Sequence, residues 1–187
     1  MKIIVIDNYD SFVYNLIHIL RELDFQDITV VKNDKILLEE IEAYDKILLS
    51  PGPGIPKNAG IMPEIIQKYA SSKSILGVCL GHQAITEAFG GELYNLPEPL
   101  HGIASTMTIE KEDYLFNKVP QKIQIGHYHS WVVSVKDSNN LEVIARDEQN
   151  NIMAIKHKLY DVRGVQFHPE SVLTQHGKTI LKNWIEN

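Results

Sequence analysis

The only cysteine of the chain stands where a short apolar run gives way to a polar segment, in SILGVCLGHQAI at residues 74–85. Cys79 lies between two glycines, after a predicted strand and before a predicted helix. This is the layout of a nucleophile elbow, in which a tight turn exposes a reactive side chain. The helix N-terminus favours thiolate over thiol, so the pattern indicates a reactive cysteine. The alternative is a buried structural cysteine.

A second segment, VQFHPES at residues 165–171, supplies a base and a group that orients it. Pro169 disfavours a helical conformation at His168, and in an extended segment residues two apart project to the same side. Glu170 can therefore hold the imidazole of His168 in one tautomer, while the imidazole exchanges a proton with Cys79. These residues predict a Cys-His-Glu triad. The alternative is a solvent-facing His-Glu pair on a polar turn.

Acyl transfer also needs donors for the developing oxyanion, and the chain offers two sources of backbone N–H groups. One is Leu80, directly after the cysteine. The other is SPGPG at residues 50–54, where Gly52 and Gly54 allow the backbone to approach a ligand closely. A phosphate loop or a plain turn is the alternative, but the segment lacks the lysine and the glycine spacing of nucleotide-binding loops.

The remaining histidines give weaker signals. His127 and His129 are two residues apart, but no further cluster of metal ligands accompanies them, so we expect no metal site. His82, beside the cysteine, fits a capping or packing role as well as a catalytic one.

Composition excludes several classes of function. The 187 residues carry a net charge of −6 without a dense Lys/Arg run, which argues against nucleic-acid binding. A single cysteine excludes an internal disulfide and fits a reducing compartment. No stretch approaches the roughly 18 apolar residues of a membrane span, and the N-terminus lacks a signal-peptide pattern, so we expect a cytoplasmic protein without a membrane partner.

The first half of the chain alternates apolar runs with helical patterns, and no linker divides the chain, which predicts a single domain over 1–187. Strands are predicted at 2–6, 27–31, 46–50 and 74–78, and helices at 10–23, 35–44, 62–70 and 81–90. This alternation predicts an α/β fold with a parallel sheet covered by helices on both faces. Asp7, Gly52, Gly54 and Cys79 follow strand ends, where such sheets bind ligands.

From about residue 102 to 167 the runs are short and strand-like, which predicts an antiparallel extension of the same sheet. Residues 174–186 predict a closing helix. For the first helix, Asp10 or Ser11 is the expected N-cap.

Together these segments resemble the class I glutamine amidotransferases over essentially the whole chain. GVCLGHQAI is similar to the family's nucleophile segment and GVQFHPES to its histidine-glutamate segment. DNYDSFVYNL, LLSPGPGIP and YHSWVV narrow the resemblance to the amidotransferase subunits of the chorismate-using synthases. The resemblance implies a flavodoxin-like, mixed and mostly parallel sheet with an antiparallel extension.

The resemblance also implies a reaction, in which Cys79 attacks the carboxamide of glutamine and forms a glutamyl thioester. Backbone N–H groups near Gly54 and Leu80 would hold the oxyanion, and the ammonia would pass to a separate chorismate-binding large subunit in a hetero-oligomer. No cofactor is implied for this chain, and Mg²⁺ is expected on the large subunit. The implied glutamine contacts are Gly52, Pro53, Gly54, Leu80, Gln83, Ser130 and Trp131.

The pathway is open between anthranilate synthase, in tryptophan biosynthesis, and aminodeoxychorismate synthase, in folate biosynthesis. The segment at 153–181 is more similar to anthranilate synthase subunits. Two other classes are a cysteine hydrolase or chaperone of related fold and a silent scaffold. The chain departs from the family pattern at Ile103, where lysine is common, at His127, where arginine is usual, and at Trp131, where leucine is usual. These departures concern the glutamine pocket and the face that meets the partner.

Overall fold

A computed structural model describes residues 1–187 as one nine-stranded sheet with four α-helices. The strands are β1 (Ile3–Asp7), β2 (Ile28–Lys32), β3 (Lys46–Leu49), β4 (Ser74–Val78), β5 (Glu92–Ile109), β6 (Lys122–Ser134), β7 (Leu141–Asp147), β8 (Ile152–His157) and β9 (Val162–Val165). The helices are α1 (Val13–Glu22), α2 (Met62–Tyr69), α3 (Leu80–Ala88) and α4 (Gly177–Glu186), with 3₁₀ helices at Leu38–Ala43, Pro56–Asn58 and Tyr114–Phe116.

The sheet has a parallel half and an antiparallel half. Its strand order is β2-β1-β3-β4-β9-β8-β7-β5-β6. Pairs from β2 to β9 are parallel, and pairs from β9 to β6 are antiparallel. The predicted α/β class, with an antiparallel extension of the same sheet, is confirmed. The chain reaches β9 only after completing the extension, so β9 brings a late segment next to β4.

Both faces of the parallel half are covered by helices, as the alternation predicted. In β1, Ile3 and Val5 pack on one face with α1 and α4, whereas Ile4 and Ile6 pack on the other with α2 and α3. Successive side chains of a strand point to opposite faces, so a strand buried on both sides reads as a continuous apolar run.

Three details differ from the sequence predictions. The segment 35–44 forms a 3₁₀ helix over Leu38–Ala43, because Ile41 is its only buried residue and a single anchor does not order a longer amphipathic helix. The N-cap of α1 is Phe12, and the carboxylate of Asp10 instead accepts a hydrogen bond from the Phe12 N–H at 2.8 Å.

The third difference is the early start of β5, ten residues before the predicted strand region. β5 pairs with β6 from Glu92, but the register shifts between Asn95 and Leu100, where two prolines interrupt the strand. This irregular stretch lies over the site described below.

No helix of the chain is both long and apolar enough to cross a membrane.

Candidate active site

Cys79 occupies the junction between β4 and α3 in a backbone conformation that non-glycine residues rarely adopt. Its φ is 52° and its ψ is −99°. The N–H of Cys79 donates to the carbonyl of Val165 at 2.8 Å, and the Cys79 carbonyl accepts from the N–H of Gln83 at 3.0 Å. The neighbouring strand and the first turn of α3 therefore hold the strained turn in place.

The two glycines that flank the cysteine allow close packing, whereas the strained dihedral angle is on Cys79 itself. A Cβ atom on Gly77 would lie 2.4 Å from the carbonyl of Gly81, and one on Gly81 would lie 2.5 Å from the carbonyl oxygen of Leu49. These neighbours are backbone atoms and have no flexible side chain to move. The glycines thus let α3 start directly against the sheet, with its N-terminus at the cysteine.

His168 and Glu170 follow β9 and form a buried pair. The Nδ1 atom of His168 lies 2.6 Å from Oε1 of Glu170, and both side chains are almost completely shielded from solvent. The backbone N–H of His168 donates to the carbonyl of Gly126 at 3.2 Å, and the hydroxyl of Thr174 donates to the carbonyl of His168 at 2.6 Å. The N–H of Ser171 donates to the carbonyl of His168 at 3.2 Å, so the segment after His168 is a turn and not the extended form that the sequence predicted. The turn still directs both side chains to the same side, where they meet.

Aromatic side chains hold the imidazole of His168 from the sides. The ring centroids of Phe12 and Tyr128 lie 5.4 and 5.0 Å from that of His168, both in edge-on arrangements. The hydrogen bond to Glu170 and the rings of Phe12 and Tyr128 restrict rotation of the imidazole, so the direction of its Nε2 atom is fixed.

The charge of His168 is set by opposing effects. Burial lowers its pKa, but the nearby thiol of Cys79 and the carboxylate of Glu170 outweigh burial and raise the pKa to about 10. The Nε2 atom is buried without a hydrogen-bond partner, so Cys79 lies near it without completing a hydrogen bond. The imidazole of His168 is therefore cationic at neutral pH and lies beside the sulfur of Cys79.

A cavity of about 200 Å³ opens in front of Cys79. Its lining contains no lysine, arginine or carboxylate and consists of Gly52, Pro53, Gly54, Cys79, Gln83, Pro99, Leu100, His101, Tyr128, His129, Ser130 and Trp131. Pockets for drug-sized ligands measure roughly 300–1,000 Å³, so this cavity suits a smaller molecule of amino-acid size.

Six of the seven predicted glutamine contacts line this cavity, and Leu80 does not. Leu80 lines an adjacent groove together with Asn8 and Pro53, but as the first residue of α3 it has a backbone N–H without an intrahelical acceptor. In the Pro-Gly loop, Gly54 has a φ of 77°, and a Cβ atom on Gly52 would lie 2.5 Å from the Cβ atom of Asn8. Both glycines are therefore required by the path of the loop.

Comparison with known proteins identifies the family. The family model described as "Glutamine amidotransferase class-I" matches residues 4–187. The chain belongs to the class I glutamine amidotransferases.

Two relatives and one solved structure illustrate how similar the members are. Anthranilate synthase component 2 of Thermus thermophilus is 44% identical over 192 residues, covering 100% of this chain and 93% of the relative. Aminodeoxychorismate synthase component 2 of Escherichia coli is 41% identical over 186 residues, covering 98% of each chain. A crystal structure from Thermoplasma acidophilum, of a protein described as part of a GMP synthase, has a TM-score of 0.89 at 26% identity, covering 100% of this chain and 92% of that chain.

The amidotransferase cavity also contains residues that the sequence predictions did not include, namely Pro99, Leu100, His101, Tyr128 and His129. Tyr128 and His129 lie inside the segment YHSWVV, so the family resemblance could have indicated them. Pro99, Leu100 and His101 carry no such signal. They reach the cavity because the register shift in β5 carries that part of the strand over the site.

Three further polar residues of the amidotransferase lie near the site in supporting positions. Burial lowers the pKa of His82 to about 3 and both of its ring nitrogens lack partners, which favours a packing role over acid-base chemistry. Asp7, predicted at the ligand edge, pairs with Lys32 at 2.6 Å. His127 lies behind the cavity wall, where its ring is hydrogen-bonded to the ring of His129.

Replacing Glu170 with glutamine should lower the pKa of His168 from about 10 towards its ordinary value of 6.5, because the carboxylate both accepts a hydrogen bond from the imidazole and stabilises its charge. NMR titration of the imidazole C–H signal measures this pKa. Cys79→Ala is the matched second variant and should lower the same pKa, since the thiol also raises it. A value still near 10 in Glu170→Gln would contradict this account.

Proposed function

We propose that this chain is the glutamine-hydrolysing subunit of anthranilate synthase, which supplies ammonia to a chorismate-binding large subunit in tryptophan biosynthesis. The observation that carries the proposal is the arrangement of Cys79 at the start of α3, with the buried His168–Glu170 pair beside it and, in front, a small cavity without lysine, arginine or carboxylate. The similarity to anthranilate synthase component 2 over the whole chain supports the choice of synthase.

The proposed reaction uses the three residues in sequence. The thiolate of Cys79 attacks the carboxamide carbon of glutamine, and the C–N bond breaks as His168 gives its Nε2 proton to the leaving nitrogen, which departs as ammonia. The γ-glutamyl group stays on the sulfur as a thioester. Water, which loses a proton to His168, then attacks the thioester carbon. Glutamate leaves and the thiolate is restored.

Glu170 and the backbone at the rim have supporting roles in this reaction. Glu170 accepts the hydrogen bond from Nδ1, which keeps the proton that is transferred on Nε2 and stabilises the imidazolium. The N–H of Leu80 at the N-terminus of α3 and the backbone near Gly54 are the proposed oxyanion donors. No lysine, arginine or carboxylate lines the cavity, so Ser130, Gln83 and backbone groups bind the polar ends of glutamine.

The ammonia is proposed to act in a hetero-oligomer. The relatives are second components of synthases, and this supports a separate large subunit that binds chorismate and Mg²⁺. We assign no metal or cofactor to this chain. A reaction between two soluble metabolites fits the cytoplasmic location expected from the sequence.

The alternative is the corresponding subunit of aminodeoxychorismate synthase, or one subunit that serves both synthases. The observation in its favour is the Escherichia coli relative, whose 41% identity is close to the 44% of the Thermus relative. The proposed glutaminase chemistry is the same in either case, and only the large subunit differs.

A reconstitution tests the proposal. The purified chain is mixed separately with each chorismate-binding large subunit of the same organism, with glutamine, chorismate and Mg²⁺, and anthranilate and aminodeoxychorismate are measured. We expect anthranilate with the tryptophan-pathway subunit. Product only with the folate-pathway subunit would reverse the pathway assignment, and product with both would identify a shared subunit. Absence of glutamine hydrolysis in every mixture would overturn the function itself.

A further inference from the structure

A line of hydrogen bonds, which we call the imidazole chain, runs from Ser105 on β5 through His127 to His129 on β6, and His129 lines the cavity. Oγ of Ser105 lies 2.6 Å from Nε2 of His127, and Nδ1 of His127 lies 2.9 Å from Nε2 of His129. Nδ1 of His129 in turn lies 3.0 Å from the carbonyl oxygen of Trp131. Both histidines are buried, so water does not replace these bonds.

The Trp131 carbonyl joins the imidazole chain to the nucleophile. It accepts a second hydrogen bond from Nε2 of Gln83 at 3.2 Å, and the same nitrogen donates to Oε1 of Gln166 at 3.3 Å. Nε2 of Gln166 then donates to Sγ of Cys79 at 3.6 Å. Glutamine side chains on α3 and after β9 thus connect a wall of the cavity with the thiol.

The Trp131 carbonyl at the end of the imidazole chain determines which atom is the donor in each of its hydrogen bonds. A carbonyl oxygen only accepts, so Nδ1 of His129 carries the hydrogen. In a neutral ring Nε2 is then an acceptor, which requires a hydrogen on Nδ1 of His127 and donation from the hydroxyl of Ser105. Burial lowers the pKa of both histidines, that of His129 to about 3, which keeps both rings neutral at physiological pH.

The hydrogen bonds of Gln83 also determine the orientation of its side-chain amide. Both hydrogens of its amide are committed, one to Trp131 and one to Gln166. Its Oε1 atom makes no hydrogen bond within the chain, and Gln83 lines the cavity. Gln83 therefore presents an acceptor to the cavity, which suits a donor such as the α-ammonium group of an amino acid.

We infer that His129, supported by His127 and Ser105, is a positioning residue for glutamine, whose Nδ1–H fixes the Trp131 carbonyl and thereby the orientation of the Gln83 amide. His129 does not act on the reacting carbon. The inference rests on the proposed function, because it concerns binding of glutamine at that site. Loss of the Nδ1–H leaves the Trp131 carbonyl with one donor and frees Gln83 to rotate, which weakens substrate binding more than chemistry.

Three variants of His129 separate this role from a general packing role. In His129→Asn, an amide nitrogen stands where Nδ1 stood and can still donate to Trp131. In His129→Gln, the amide stands nearer the position of Nε2, and in His129→Leu no donor remains. His18→Leu is the control, because His18 is exposed on α1 and pairs only with Glu22.

The kinetic test uses the chain in complex with its large subunit, at a series of L-glutamine concentrations. A lost buried hydrogen bond should raise the KM at least about tenfold in the Gln and Leu variants, with kcat within about threefold of wild type. The Asn variant and the His18 control should stay within about threefold of the wild-type KM. The inference is overturned if Asn is as impaired as Leu, if no variant changes the KM, or if kcat falls instead of binding.

A second measurement does not depend on activity. Long-range ¹H–¹⁵N NMR correlations of the histidine rings identify the tautomer, and we expect hydrogen on Nδ1 in both His127 and His129. Hydrogen on Nε2 in either ring overturns the inference, even if the variants are too unstable for kinetics. If the wild-type complex does not hydrolyse glutamine, the proposed function fails, whereas this spectrum still tests the imidazole chain.

Discussion

Replacing Cys79 with serine should lower glutamine hydrolysis by the complex at least about 10³-fold, because a hydroxyl is a far weaker nucleophile than a thiolate at neutral pH. Serine is nearly the same size, and the backbone bond from residue 79 to Val165 does not depend on the side chain. The expected loss is therefore chemical and not structural. The measurement is glutamate release at saturating glutamine.

The control for this variant supplies ammonium salt in place of glutamine. If Cys79 acts only in releasing ammonia, the Cys79→Ser complex should form product from chorismate and ammonium at the wild-type rate. Glutamine-dependent turnover within tenfold of wild type would show that Cys79 is not the nucleophile. Loss of the ammonium-dependent rate would instead indicate that the substitution disturbs the assembly.

The second large effect is expected for His168→Asn, which should lower kcat/KM for glutamine by ~10²–10⁴-fold, the usual contribution of a general acid-base group. Asparagine is chosen because its amide nitrogen can occupy the place of Nδ1 and still donate to Glu170. The Glu170 carboxylate, which is fully buried, then keeps a hydrogen-bond donor. The variant removes the Nε2 atom that faces Cys79 and little else.

His176→Asn is the matched control for the second prediction. His176 is exposed and has a φ of 59° just before α4, a conformation that asparagine adopts readily. This control should retain wild-type kcat/KM and thermal stability. Wild-type activity in His168→Asn, with the fold intact, would exclude His168 from the reaction.

Local pattern was enough to predict β1 to β4 of the parallel half, but it placed β9 in the antiparallel extension, whereas β9 pairs parallel with β4. The apolar runs and helical spacing of the first half of the chain correspond to β1 to β4, α1, α2 and α3, because a strand buried on both faces and an amphipathic helix have different periods. At 35–44 the pattern predicted a longer helix than the 3₁₀ helix that forms. The structure explains the difference, because Ile41 is the only residue of that helix that is buried. The start of β5 was predicted about ten residues too far along the chain, because prolines near its beginning are not typical of a strand.

The sequence by itself determined the residue types of the site and their local order. The Cys79 junction is recognised from the apolar run before it and the helical pattern after it. His168 and Glu170 are recognised as a pair from their two-residue spacing across Pro169. Gly52 and Gly54 marked the Pro-Gly loop as a source of oxyanion donors, and the family resemblance added the YHSWVV segment. None of this required knowledge of which strands are neighbours.

Only the tertiary structure decided how these segments meet. β9 lies beside β4 although it follows about eighty residues later, and this pairing brings His168 to Cys79. The register shift of β5 places Leu100 and its neighbours over the cavity, and the contact of β5 with β6 aligns Ser105 with the two histidines. Such contacts depend on strand order and register, which are set by the packing of the whole sheet and leave no mark in the local sequence.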